Sequence, residues 1–501
     1  MAIAPALAVL GTASDVGKSV ITTGLCRIFQ QRGFRPAPFK AQNMSNNAGV
    51  TPDGLEIGRA QLVQAEAARA VPHPDMNPIL LKPNTDTGAQ VVLHGRAVGN
   101  QEAGSYFRDT ATYRAESVAA LERLRRRYGS VVIEGAGSCA EVNLRRNDFV
   151  NFDMAHACDA PVVIVADIDR GGVFAQILGT MDVLPAKDRE RVAGFIINRF
   201  RGDASLFEDG LTYLRGRLSV PLLGVVPWCY DFEIDAEDAI ALPKRKGPKT
   251  PLDHDKVRIA VIRLPHIANF TDFAAPAREP EIDLRYLANP RALDDYHLVL
   301  LPGSKNVRFD LDWLKRTGWA APILDFSAAG GMIGGICGGY QMLGRSVSDP
   351  HGVEGAPGTS DGLGLLPVRT QLARDKHLSL SHGRCRLTGQ MVRGYEIHMG
   401  RTVLDDDGEP LLDLTSGDQA QHGDGAMIED GRIWGTYLHG LFDEPAFLAA
   451  LLRRFKPDFT PTQQLSAFAF RQQQYDLLAD HLAQHLDLDA LFQFGGLSSL
   501  S

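Results

Sequence analysis

Residues 4–19 read APALAVLGTASDVGKS, and this stretch decides the fold. An unbroken apolar run enters a glycine-bounded loop, which opens a segment whose Ile21, Leu25, Ile28 and Phe29 keep helical spacing as far as Gly33. Continuous rather than alternating hydrophobicity marks a strand buried on both faces. Strand, glycine loop and helix in that order form a phosphate-binding unit, in which backbone N–H groups and the helix N-terminus surround phosphate oxygens. Lys18 is placed for the β and γ phosphates of a nucleotide and the Ser19 hydroxyl for magnesium. Thr12, Asp15 and Gly17 complete the candidate nucleotide-binding loop. Its first glycine falls one residue earlier than in GxxxxGK[ST], with Thr12 in the usual place, so the loop is a variant.

Working outward, similar apolar runs recur at residues 131–133, 161–166, 192–197 and 221–226, separated by longer helical stretches. The pattern predicts a parallel α/β sheet flanked by helices. Ligands of such sheets gather beyond the carboxyl ends of the strands. Glu134, which ends VVI and opens GAGS, is therefore the candidate second ligand to magnesium beside Ser19, ahead of Asp167 and Asp169. Lys40 follows another apolar segment, in PFKAQNMSNNA, with Gln42, Asn43, Asn46 and Asn47 close behind. Lys40, Asn43 and Asn46 suit a substrate rich in carboxyl and amide groups, although such amides also stabilise loops.

The proline- and lysine-rich stretch LPKRKGPKTPLDHDK, residues 242–256, reads as a linker. After it the α/β alternation restarts at 257–264, 297–301 and 331–336. The last of these runs into GGICGGYQML. GxCxG is the cysteine counterpart of the nucleophile elbow: a sharp turn exposes the sulfur of Cys337 and aims the Gly338 amide at a developing oxyanion. Gly303 or Ser304 of LPGSKN offers a second donor. A free thiol of pKa about 8.5 needs a neighbouring base. Of fourteen histidines, His439 in GTYLHGLF has the best setting, and His382, His398 and His422 have weaker ones. Asp430-Gly431 predicts a two-residue hairpin turn. The last fifty residues read as helical, with a frayed tail at GGLSSLS.

Composition bounds the function. The 501 residues are 44% hydrophobic and 22% charged, with 52 basic against 60 acidic side chains. That length predicts two to four packed domains, and the net charge of -8 demotes nucleic acid as a partner. Six scattered cysteines without a CxxC pair fit neither a disulfide scaffold nor a zinc ribbon, and point to a reducing compartment. No apolar run is long enough for a membrane span and the N-terminal run lacks a basic leader, so a cytoplasmic location is expected. Oligomeric state is not legible.

Taken in order, GTASDVGKS, PFKAQNMSNNA, EIGRAQ, VVIEGAGS, DIDRGGVFA, INRFRGD, PGSKN, GICGGYQMLG, YEIHMGRT and GTYLHGLF resemble the cobyric acid synthase family over essentially the whole chain. The resemblance implies an ATP-binding amide-synthase domain similar to dethiobiotin synthetase at 1–241, the linker at 242–256, a class I glutamine amidotransferase domain at 257–450 and a C-terminal helical extension at 451–501. It implies ATP, Mg2+ and glutamine, a corrinoid substrate amidated at its b, d, e and g carboxylates, Cys337 as nucleophile and His439 as base. It places Asn198 and Arg199 near the adenine. SDVGKS in the loop favours this branch over the related cobyrinic acid a,c-diamide synthases. Because Gly440 and Leu441 follow His439 where many glutaminases have an orienting glutamate, a Cys-His dyad is expected. Two further readings fit the motifs: amidation of another polycarboxylate, and a regulatory P-loop switch carrying a glutaminase-like module that only binds.

Overall fold

A computed structural model describes residues 3–84, 88–106, 109–235, 251–417 and 420–496. Residues 242–250 of the expected linker and 497–501 of the expected frayed tail lie outside the described residues.

The N-terminal half is built on a six-stranded parallel sheet in the order Leu222–Pro227, Val192–Phe200, Val162–Asp167, Ala6–Gly11, Ser130–Glu134, Pro36–Phe39. The chain starts at the centre and builds to both sides. This creates a crevice at the carboxyl end of Ala6–Gly11, where ligands of open α/β sheets bind. All six residues of that strand are buried, as continuous hydrophobicity predicted. Helix Lys18–Gln31 buries Ile21, Leu25, Ile28 and Phe29. A smaller sheet, Gln42–Met44, Ile79–Pro83, Gly88–Leu93 and Arg96–Glu102, grows from the Lys40 side.

The second half has its own six-stranded sheet: Ile282–Leu287, Val257–Ile262, Leu298–Leu301, Met332–Ile336, Ile433–Thr436 and Ala426–Ile428. All neighbours are parallel except the last pair. That pair is the hairpin expected at Asp430-Gly431, but with Ile428 opposite Ile433 the connection has four residues, not two. Asp430 and Gly431 do take positive φ (53° and 75°); Glu429 (φ 53°) joins them in a short 3-10 turn, which lengthens the loop.

Two features were not legible. Long antiparallel strands Val368–Cys385 and Met391–Leu404 form a second layer that reaches the N-terminal half, where Lys376 and Lys82 grip opposite oxygens of buried Glu56 at 2.6 and 2.7 Å. The C-terminal helix Ala467–His485 returns to the first domain. It packs on Lys18–Gln31 through Leu478 and Leu482, with Arg27 paired to Asp476 at 2.7 Å. The expected boundary at 450 falls inside helix Pro445–Leu452.

Candidate active site

At the first crevice, Gly17 has φ 97°, a left-handed conformation that glycine adopts without strain. A β-carbon there would stand 2.1 Å from the Asn198 side chain. Asn198 donates to the Val16 carbonyl at 2.9 Å, so it props the loop. The Lys18 ammonium bridges the carbonyls of Ala13 and Gly137 at 3.0 and 2.8 Å across the loop mouth. The Thr12 hydroxyl turns away to Gln176 at 3.2 Å.

Glu134, 1% exposed, collects the remaining predicted groups. Its Oε1 accepts from the Ser19 hydroxyl at 2.8 Å and pairs with the Lys40 ammonium at 2.9 Å. Its Oε2 accepts from the Gln64 side-chain amide. Sequence reasoning missed Gln64, although one helical turn separates it from the quoted EIGRAQ. The Ser19–Glu134 spacing fits magnesium: cis oxygens of an octahedral ion at 2.0–2.1 Å stand roughly 3 Å apart. Asp167 and Asp169 face guanidinium groups instead, Arg199 at 3.0 Å and Arg201 at 2.8 Å. Arg199 also reaches Asp15 at 3.1 Å, and Arg201 stacks over Trp228 at 4.1 Å. Asn43 is buried and donates to Gln61 at 3.1 Å, while Asn46 keeps a buried Oδ1 without a hydrogen-bond partner among the described residues.

At the second crevice Cys337 has φ 50° and caps helix Gly338–Leu343. Positive φ in a non-glycine residue is unusual and marks the sharp turn of an elbow. The glycines are spatially required, because β-carbons at Gly338 and Gly339 would stand 2.7 Å from the Ser304 amide nitrogen and 2.0 Å from the Leu301 carbonyl oxygen. The thiol lies 3.7 Å from the Ile397 carbonyl. Gly303 adjoins the same space: a β-carbon on it would be 3.5 Å from the His439 ring.

His439, 1% exposed, follows strand Ile433–Thr436 and pairs across to Tyr395 of the long hairpin, whose ring stacks on it at 5.1 Å. The expected dyad needs correction: Asp272, from the turn Phe270–Phe273, accepts from His439 Nδ1 at 2.7 Å and from the Gly440 amide at 2.9 Å. Burial alone pushes an imidazole pKa down. The Asp272 charge and hydrogen bond, with a further bond to Cys337, overcome this and lift His439 to about 10. Asn269, three residues before Asp272, lies 3.3 Å from His439 Nε2 and accepts from the Ala48 amide at 3.0 Å.

One pocket holds Cys337, Gly303, Gly338 and His439 together with Gln341, Lys305, Glu354, Lys82 and Lys376. Burial holds the Lys305 pKa below the lysine range, opposed by the Glu354 charge, and raises Glu354 to about 7. Gln341 has a buried Oε1 without a hydrogen-bond partner among the described residues. Among the described residues no helix is long and apolar enough to cross a membrane.

Residues 7–240 match the CobQ/CobB/MinD/ParA nucleotide binding domain family and residues 258–447 the CobB/CobQ-like glutamine amidotransferase domain family. Along nearly its full length the chain is similar to a cobyric acid synthase of Chlorobaculum tepidum, 53% identical over 98% of both chains. It is also similar to cobyric acid synthases of Citrobacter koseri and Salmonella typhimurium, each 46% identical over 96% of both chains.

Proposed function

From the premise that this chain belongs to the cobyric acid synthase family and is a glutamine-dependent amidotransferase, we propose that it amidates the b, d, e and g carboxylates of adenosylcobyrinic acid a,c-diamide. The thiolate of Cys337 attacks the side-chain carbonyl carbon of glutamine, and the oxyanion is met by the amide of Gly338 and one from Gly303 or Ser304. His439 gives its proton to the departing ammonia, leaving a thioester that water hydrolyses to glutamate. Lys305 takes the α-carboxylate of glutamine, while Glu354 and the Gln341 Oε1 take its α-ammonium.

Hydroxide is a poor leaving group, so each carboxylate is first phosphorylated by ATP. Lys18 offsets charge on the transferring phosphoryl group, Lys40 steers the carboxylate toward it, and ammonia then displaces phosphate. Arg199, beside Asn198, flanks the nucleotide. Ser19 and Glu134 would hold a magnesium ion, which would supply further neutralisation of phosphate charge.

The observation that carries this reading is the segment Lys40–Ala48. Its first residue pairs with Glu134 of the ATP crevice, and its last donates to Asn269, which touches His439. Its nine residues make eight steps that span at most about 29 Å, so one short segment adjoins both chemistries. We infer that ammonia passes along it, sheltered from water that would protonate it or compete for the acyl phosphate. Incubation of the chain with ATP, glutamine and the corrinoid should give four successive mass losses of one unit. Cys337→Ala should abolish this with glutamine and retain it with ammonium; glutamine-driven turnover by that variant would remove the cysteine from the mechanism.

A further inference from the structure

The long hairpin sets His377 directly opposite His398 and Ser379 directly opposite Glu396. Cross-strand partners, and residues two apart on one strand, share a face. Two imidazoles and a carboxylate therefore converge. Glu396 Oε2 lies 3.7 Å from His377 Nε2 and 3.8 Å from His398 Nε2, and one ligand atom from each of the three lies within 4.8 Å of the other two. These separations exceed a hydrogen bond. They approach the roughly 3.3–3.4 Å between donors sharing a tetrahedral ion at about 2.0–2.1 Å.

Surrounding bonds orient each donor. His398 Nδ1 lies 2.8 Å from the Gly400 carbonyl. A carbonyl only accepts, so Nδ1 carries a proton, which fixes the ring and leaves Nε2 as the nitrogen turned toward Glu396. That Nε2 is buried without a hydrogen-bond partner among the described residues. Glu396 Oε1 accepts from the hydroxyls of Ser379, Ser381 and Ser416, which fixes the carboxylate and turns Oε2 toward the imidazoles. A carboxylate oxygen facing two imidazole nitrogens at 3.7 and 3.8 Å, with the half-exposed His377 on the open side, leaves a place for a cation between them.

We propose that His377 Nε2, Glu396 Oε2 and His398 Nε2 bind a zinc-class divalent cation, with a fourth position open to water. Two imidazoles and one carboxylate suit zinc rather than magnesium, which prefers an all-oxygen shell. The ion would clamp the two hairpin strands behind the nucleophile: Ile397, between Glu396 and His398, faces the Cys337 thiol with its carbonyl, and Tyr395 stacks on His439. The site is separate from the Ser19–Glu134 position and independent of which carboxylates are amidated.

The test uses untagged full-length protein, loaded with zinc and then gel-filtered. Elemental analysis should find close to one zinc per chain. Cobalt(II) in its place should give the visible absorption of a tetrahedral nitrogen and oxygen site, without a thiolate charge-transfer band. His398→Ala and Glu396→Gln should lose that absorption, while Cys337→Ala and Glu134→Gln keep it. Retention of less than a tenth of an equivalent by the wild-type chain overturns the proposal. So does absorption that vanishes in Cys337→Ala, which would put the metal on the nucleophile. Both of these readings survive if a histidine variant fails to fold.

Discussion

Asp272 and His439, 167 positions apart in the chain, are joined by a 2.7 Å hydrogen bond between buried side chains. The carboxylate sets the ring orientation and, through the Gly440 amide, the turn that carries the ring. It also keeps the imidazole charged in a site whose burial would otherwise neutralise it. In the proposed mechanism an acid in this place orients the base from the other side of the ring to the sulfur, the work done by the third member of a triad.

Asp272→Asn keeps the shape and removes the charge. Glutamine hydrolysis should fall by roughly 10²- to 10⁴-fold, the range seen when a base loses its orienting acid. Amidation driven by ammonium should be unchanged, because it bypasses the sulfur. Equal loss of both activities would make Asp272 a structural residue.

The same bond links stability to pH. His439 titrates near 10 in the folded chain, against 6.5 for the free side chain. A raised folded pKa stabilises fully below the unfolded value, and this contribution is lost as pH rises from 6.5 through about 10. Urea denaturation should show the wild-type chain losing a few kcal/mol more than Asp272→Asn across that window. Parallel decline of the two chains would mean that the imidazole is not held charged by Asp272.

Glu354 makes the glutamine step sensitive at the other end of the scale. Burial raises its pKa to about 7, so its charge is lost as pH falls through neutrality. If it holds the α-ammonium of glutamine, the KM for glutamine should rise below pH 7 and flatten in Glu354→Gln. Lys305→Met should raise that KM about 10- to 100-fold, the worth of one charged hydrogen bond, without altering ammonium-driven turnover. An unchanged KM in both variants removes these residues from substrate binding.

How much of this could be read from the sequence depends on how local each feature is. The Gly11–Ser19 loop and the Cys337 elbow are contiguous, and their glycines are demanded by positive φ or by backbone and side-chain atoms 2–3 Å from where a β-carbon would stand, so spacing alone betrays them. Asp272 sits in an unremarkable FTDF turn and meets His439 only through the fold; no local signal marks it. Gln64 is hidden similarly, on a helix whose other residues are mostly buried. The hairpin is illegible because several of its residues that line the Cys337 pocket are polar, such as Lys376 and His398, which breaks the apolar alternation that announces a strand. The helix Ala467–His485 was legible as a helix but not as part of the first domain, since chain order says nothing of which core an apolar face joins.

Gly17 offers a test of the loop that leaves the glutaminase intact. Gly17→Ala must place a β-carbon at φ 97°, 2.1 Å from the Asn198 amide. Both the strain and the lost prop distort the phosphate cradle. ATP-dependent amidation should fall by more than 10²-fold with glutamine and with ammonium alike, a loss typical of a displaced electrostatic site. Glutamine hydrolysis measured alone should persist; its disappearance would show that the substitution unfolds more than the loop.

The proposed relay between the crevices can be tested at Asn269. Its backbone is left-handed, φ 51° and ψ 40°, so glycine fits without strain and Asn269→Gly removes only the side chain. That side chain links the Ala48 amide to the edge of the His439 ring. Without it the segment Lys40–Ala48 loses its anchor on the glutaminase, while Asp272 still orients the histidine. Glutamine hydrolysis should therefore fall less than tenfold, since Asn269 only lies beside the ring edge and Asp272 keeps its bond to Nδ1. Coupling should suffer more: ammonia escapes before reaching the acyl phosphate, and glutamate produced per amide formed rises well above one. Ammonium-driven amidation provides the control, because it draws nitrogen from solvent and needs no relay. If glutamate and amide still appear in equal amounts, ammonia does not travel by this segment, and the route must be sought along the Lys82, Glu56 and Lys376 side of the pocket.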